Sequence, residues 1–187
     1  MSDIENLRDT VTPKSDQLNA DDLAGTTKVY RVTAVKRGTT KEQPVIIEYA
    51  GMECRPYKPC KSMRRVLIAA WGEDGREWAG RSMKLYCDPE VKFGGVKVGG
   101  IRISQLSHLD ADMKVMLSVS RGKREECKVT RLPTYPEKEF TEKSPGWIAA
   151  IKSGKIDIET VIEKAAVTGI LTEAQIEILK GALNNGN

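Results

Sequence analysis

Between residues 28 and 132 the apolar side chains recur mainly at every second position, and that period most constrains the fold. In TTKVYRVTAVKR (26–37), Tyr30, Val32 and Ala34 alternate with Arg31, Thr33 and Val35. In RSMKLYCD (81–88), Met83, Leu85 and Cys87 point one way, and Ser82, Lys84 and Tyr86 the other. MKVMLSVS (113–120) puts Met113, Val115, Leu117 and Val119 on one face, and ECKVTRL (126–132) supplies another strand. PVIIEYA (44–50) and RRVLIAAW (64–71) read as β-rich apolar runs, joined by the proline-containing loop GMECRPYKPCKSM (51–63). With no long helical stripe in the region, residues 25–132 are predicted to be a mainly β domain. Six to eight short antiparallel strands favour a small barrel, because closure removes exposed edges.

The flanks differ in character. Residues 1–24 lack sustained periodicity and read as a flexible acidic leader. PTYPEKEFTEKSPG (133–146), with three prolines and many charges, reads as a linker. Residues 147–187 form a small helical domain: GWIAAI offers Trp147 and Ile151, and Ile158, Val161, Ile162 and Ala165 recur at helical spacing. Asp157 is the expected N-cap of that helix and Gly169 its stop. Thr172 with Gln175 fits a capping box ahead of Ile176, Leu179 and Leu183.

Charge follows the same divisions. Residues 1–24 carry two basic and six acidic side chains, residues 25–132 carry 22 and 12, and residues 133–187 carry six and eight. A basic middle between acidic ends attracts polyanions, since each phosphate contact releases a counterion. No apolar stretch approaches the roughly 18–20 residues of a membrane span, and MSDIENLRDT lacks the apolar region of a secretory signal, so a cytoplasmic location is expected.

KFGGVKVGGIRIS (92–104) tests whether the function is nucleotide chemistry. Gly94 and Gly99 have the outer spacing of a phosphate-cradling loop, but Gly100-Ile101 stands where Lys-Ser/Thr is required. No helical stripe follows, so a dinucleotide fingerprint also fails. A hairpin turning at Gly99-Gly100 fits better. That register puts Val96, Val98, Ile101 and Ile103 inside and Lys97 beside Arg102 outside, a like-charged pair suited to a phosphate backbone.

Single-strand binders combine cations with aromatics on which bases stack. The densest such group is Arg55, Tyr57, Lys58, Lys61, Arg64 and Arg65 in and after the 51–63 loop. Trp78 lies near Arg76 and Arg81 after the GEDG turn, and Tyr86 shares a strand face with Lys84. With Lys97 and Arg102 these are the expected nucleic-acid-binding residues, while Trp71 reads as core.

Other chemistry is less well supplied. Cys54 and Cys60 are separated by five residues rather than two to four, and Cys87, Cys127 and His108 would have to converge on them, so no metal or cofactor is expected. His108 has Asp110 and Asp112 nearby but no nucleophile. Asp74 with Glu90 and Lys92 loosely matches the D…(D/E)xK pattern of Mg²⁺-dependent nucleases, which requires Glu90 and Lys92 on a central strand.

The run WGEDGREWAGRSMKLYCDPEVKFGGVKVGGIRISQLSHL (71–109) resembles a block in bacteriophage and prophage proteins of recombination and replication regions. The chain is similar to an OB-type single-stranded DNA-binding protein of such a phage. The resemblance implies an OB-like barrel, no catalysis, a role in phage DNA replication or recombination, and life in an infected bacterial host. It assigns no ligand residue. Single-stranded DNA is the expected partner, with the C-terminal helices as the contact for a phage or host replication or recombination protein; self-association stays open. The competing readings are a protein-interaction module that inhibits or recruits a host factor, and the nuclease.

Overall fold

The computed structural model describes residues 15–51, 55–120 and 122–184. Alternation becomes strand in β1 (Thr27–Arg37), β2 (Val45–Tyr49), β3 (Ser82–Asp88), β6 (Gly100–Leu106), β7 (Met113–Ser120) and β8 (Lys123–Arg131). They form one six-stranded sheet in the order β2-β1-β3-β6-β8-β7. Only β6 and β8 run parallel, at Gln105/Thr130 and Leu106/Arg131.

The sheet does not close into a barrel. RRVLIAAW, expected as a strand, belongs to helix α1 (Lys61–Trp71), and Met63, Val66, Leu67 and Trp71 form its buried stripe. That stripe has helical spacing once Met63 is counted with the apolar run. Helix α1 lies against β6 and β7, so a helix covers the apolar face that closure would otherwise have covered. Tyr30, Val32, Met83, Leu85, Ile103, Leu106, Leu117 and Val129 meet it in one core, where each large side chain contributes about 1.5–3 kcal/mol. Trp71 anchors the helix by donating from Nε1 to the Ser107 carbonyl at 2.8 Å.

The glycine-rich run folds differently from the expected hairpin. The two-residue turn is at Gly94-Gly95, both at positive φ, and joins β4 (Lys92–Phe93) to β5 (Val96–Lys97) in a short arm. Strand β6 pairs instead with β3, setting Ile101 opposite Cys87, Arg102 opposite Tyr86 and Ile103 opposite Leu85. Val96 and Val98 are therefore not inside; they are 65% and 54% exposed. Both glycine pairs permit a turn, and long-range pairing selects one because it buries Ile103 against Leu85.

Two boundaries also move. Of the acidic leader, residues 1–14 lie outside the described residues, while Leu18 and Leu23 are buried in the main core, so 15–24 belong to the β unit. The linker reading of 133–146 is overturned by helix α2 (Glu137–Lys152), which runs through Pro145. Phe140 and Trp147 on this helix pack edge-on at 6.2 Å, and Tyr135 meets Trp147 at 5.6 Å. Burial of these rings offsets the hydrogen bond that Pro145 removes.

Helices α3 (Ile158–Ala165) and α4 (Glu173–Asn184) complete a second core with Val161, Ile162, Ile176 and Leu179. Asp157 caps α3 through Thr160 N at 2.7 Å, and Thr172 and Gln175 form the capping box. The Leu183 side chain lies outside the described residues. Gly169 is not the stop of α3, which ends at Ala165. A Cβ at Gly169 would come within 2.7 Å of the Thr134 carbonyl oxygen, so glycine there permits the Thr134/Ile170 bridge.

Candidate nucleic-acid interface

The polar side of the central strands forms two cross-strand rows. Thr27, Tyr86 and Arg102 face one another across β1, β3 and β6. Val29, Lys84 and Gln105 form the next row, which Gln105 Nε2 extends to Thr130 Oγ1 on β8 at 3.1 Å. Tyr86 is half-buried and borders a shallow hollow with Leu23, Gly25, Thr26, Thr27 and Cys87. Burial raises the Tyr86 pKa, with Asp88 and Cys127 adding to the rise and Arg102 opposing it.

Arg102 connects this face to α1. One guanidinium nitrogen lies 3.9 Å from Cys60 Sγ, and Nε is 3.5 Å from an Asp88 carboxylate oxygen. Lys61, Arg64 and Arg65 follow directly in the first turns of α1. Among the described residues none of these three, nor Lys84, has a salt-bridge partner.

The remaining predicted residues divide by burial and pairing. Tyr57 and Trp78 are only 2% and 4% exposed, so neither offers a ring to a base. Trp78 packs edge-on against Trp71 at 5.8 Å, and Trp71 is core as expected. Arg55 is paired with Asp22 at 2.5 Å and Lys58 with Asp16 at 2.6 Å. Arg76 folds back on Asp74 at 2.6 Å. Arg81 donates to the Trp71 carbonyl at 3.3 Å and lies over the Trp71 ring. Lys97 sits on the arm, paired with Glu90 at 2.7 Å and away from its expected neighbour Arg102.

The nuclease arrangement is not assembled. Lys92 lies on the arm and Glu90 in the turn leading to it, neither on a central strand, and Asp74 caps a short 3-10 helix (Gly75–Trp78). Pairing with Arg76 lowers the Asp74 pKa to about 2. Among the described residues no group of three His, Cys, Asp or Glu side chains is placed to hold a metal; Cys54 lies outside them. His108, at φ +55°, shares a hydrogen bond with Ser107 Oγ at 2.8 Å, while Asp112 accepts from Arg131 N at 3.0 Å.

Sequence reasoning missed two things. Gln105 and Thr130 belong to the polar rows, and only the β6/β8 pairing reveals it. A cleft of about 340 Å³ also opens between the sheet and the C-terminal helices. Its walls combine Leu106, Ile162, Leu171 and Ile176 with charges of both signs, Arg31 and Arg131 beside Glu163 and Glu173. Mixed charge over apolar walls offers no continuous track for a polyanion. No helix among the described residues is long and apolar enough to cross a membrane. Comparison with protein-family models, curated proteins and solved structures finds no match, so the strand rows and the first turns of α1 are themselves the grounds for a functional reading.

Proposed function

We propose that this chain binds single-stranded DNA without catalysis, across the β3/β6 face and the start of α1, in bacteriophage DNA replication or recombination within the host cytoplasm. The observation that carries the reading is the Tyr86/Arg102 cross-strand pair, with Lys84 in the adjoining row and Arg102 reaching Cys60, the N-cap of the cationic helix α1. A half-buried tyrosine edged by a hollow provides a stacking platform, and the surrounding cations provide phosphate contacts; stacking of one base contributes about 1–3 kcal/mol.

The fold supports the same reading. Strands β1, β3, β6, β8 and β7 form a five-stranded run with one parallel junction, which suits the strand order of an OB unit left open as a sheet. Strand β2 and helix α1 are then insertions between its first two strands. The phage replication or recombination setting rests on the resemblance read in residues 71–109 alone.

Binding of oligodeoxythymidine and of duplex DNA, measured by anisotropy over a salt series with and without Mg²⁺, tests the proposal. The expected result is preference for the single strand, affinity falling with salt, and no cleavage. Loss of Lys84 and Arg102 together should weaken binding to all sequences alike and flatten the salt slope. An unchanged slope would remove this face from the interface. Absence of salt-sensitive DNA binding with a stable host-protein complex would favour the interaction module, and Mg²⁺-dependent cleavage lost on changing Glu90 would favour the nuclease.

A further inference from the structure

The start of α1 carries more unsatisfied hydrogen-bonding capacity than a solvated helix end needs. The helix has 11 residues, its N-cap is Cys60, no side chain caps it, and no acidic residue lies in its first turn. Its leading N–H groups therefore present partial positive charge and meet no acceptor among the described residues. Beside them, Tyr57 is 2% exposed and its hydroxyl has no hydrogen-bond partner among the described residues. The ionisable side chains close enough to act on that hydroxyl are Cys60 and Arg102, the same two that meet at 3.9 Å. Arg64, near the start of α1, adds a buried Nη1 without a partner among the described residues; long helical side chains lean back toward the preceding turn.

Buried polar atoms without partners are rare because each costs about 1–3 kcal/mol. Here two accompany an open helix N-terminus and a second cation, Arg102. Burial raises the Tyr57 pKa, so its hydroxyl is a neutral O–H donor. Hydroxyl, guanidinium and backbone N–H groups all donate, and together they complement a tetrahedral oxyanion. The nearby carboxylate of Asp88 holds Arg102 from the other side at 3.5 Å, so an incoming anion shares that guanidinium.

We infer that the N-terminus of α1, with Tyr57, Arg64 and Arg102, is a built site for one phosphate group. For its physiological ligand the inference rests on the strand-binding reading: the site receives a phosphate of the bound strand, either an internal phosphodiester or a 5′-terminal phosphate. Tyr57 thereby changes role from the expected stacking ring to a buried donor.

Cys60 is exposed and reports on the site from within it. Alkylation of Cys60 by iodoacetamide in the full chain, followed by peptide mass mapping, should slow in inorganic phosphate but not in chloride at equal ionic strength. Tyr57→Phe should raise the phosphate concentration giving half protection about tenfold, the loss of one charge-assisted hydrogen bond. It should also leave the free protein as stable as wild type or more so, because it removes an unpaired hydroxyl. Arg102→Gln should abolish protection; if it fails to fold, Tyr57→Phe decides alone. Oligodeoxythymidines with and without a 5′-phosphate separate the sources: protection by both identifies a phosphodiester, and protection only by the phosphorylated one identifies the terminus. Equal protection in wild type and Tyr57→Phe, or none in either, would overturn the site. Unprotected Cys60 with intact single-strand binding rejects the pocket and leaves the proposed function standing. Phosphate protection without oligonucleotide binding does the reverse.

Discussion

Two basic clusters lie within ten residues of each other in the chain, and the fold treats them oppositely. Arg55 and Lys58, before α1, are neutralised by Asp22 and Asp16, and Tyr57 between them is buried. Lys61, Arg64 and Arg65, within α1, have no acidic partner among the described residues and follow Cys60, which Arg102 meets at 3.9 Å. In sequence the two are one cationic loop. The difference comes from residues 15–24, whose Leu18 and Leu23 enter the core and bring Asp16 and Asp22 against the first cluster only. Charge density along a chain thus measures potential for polyanion binding; tertiary pairing decides which cations remain available.

The largest expected effect comes from dismantling the second cluster's support. Trp71→Ala empties a core position and removes the bond to the Ser107 carbonyl. It should cost about 3–5 kcal/mol in urea denaturation and weaken DNA binding by loosening α1. Stability intact after this change would show that α1 is not held as described. Next, Tyr86→Ala should weaken single-strand binding by about 1–3 kcal/mol with little change in salt slope, read by anisotropy, because stacking is lost and no phosphate contact is. A changed slope at unchanged affinity would mean that Tyr86 stacks no base.

The comparison itself is broken most directly by removing the acids. Asp16→Asn with Asp22→Asn releases Lys58 and Arg55, and if both then reach phosphate the salt slope should steepen by about 0.7 for each. Alanine at Arg55 and Lys58 should leave the wild-type slope unaltered. The smallest effect concerns His108, the one histidine of the chain. Burial, helped by the nearby Arg81 and opposed by Glu173, lowers its pKa from 6.5. The unfolded chain therefore takes up that proton first as pH falls, so His108 supports folding above about 6.5 and loses that contribution as pH drops through the lowered value. His108→Asn, which tolerates the positive φ, should reduce the fall in stability between about pH 7 and 5, measured by urea titration at each pH.

Period two marked β1, β3, β7 and β8 because each has one buried and one polar face, and that asymmetry is written locally. The caps at Asp157 and Thr172/Gln175 were equally legible, since a cap involves residues three apart. Helix α1 was misread because a window beginning at Arg64 omits Met63, which completes the stripe. Helix α2 was hidden by prolines, whose local cost is outweighed by Phe140 and Trp147 meeting a core supplied by later residues.

Of the interface, the shared face of Lys84 and Tyr86 was readable from their spacing on one strand. Their neighbours were not. The pairing of Arg102 with Tyr86 follows from β6 joining β3 across the arm, and the meeting of Arg102 with Cys60 joins residues 42 positions apart. By itself the sequence determined the alternating strands, the helix caps and a basic middle between acidic ends, all properties of neighbouring residues. Only the tertiary structure decided which glycine pair turns, which of the described cations stay unpaired, and that Tyr57 is buried rather than an exposed ring. Those outcomes depend on burial and on long-range partners, and neither is a property of local sequence.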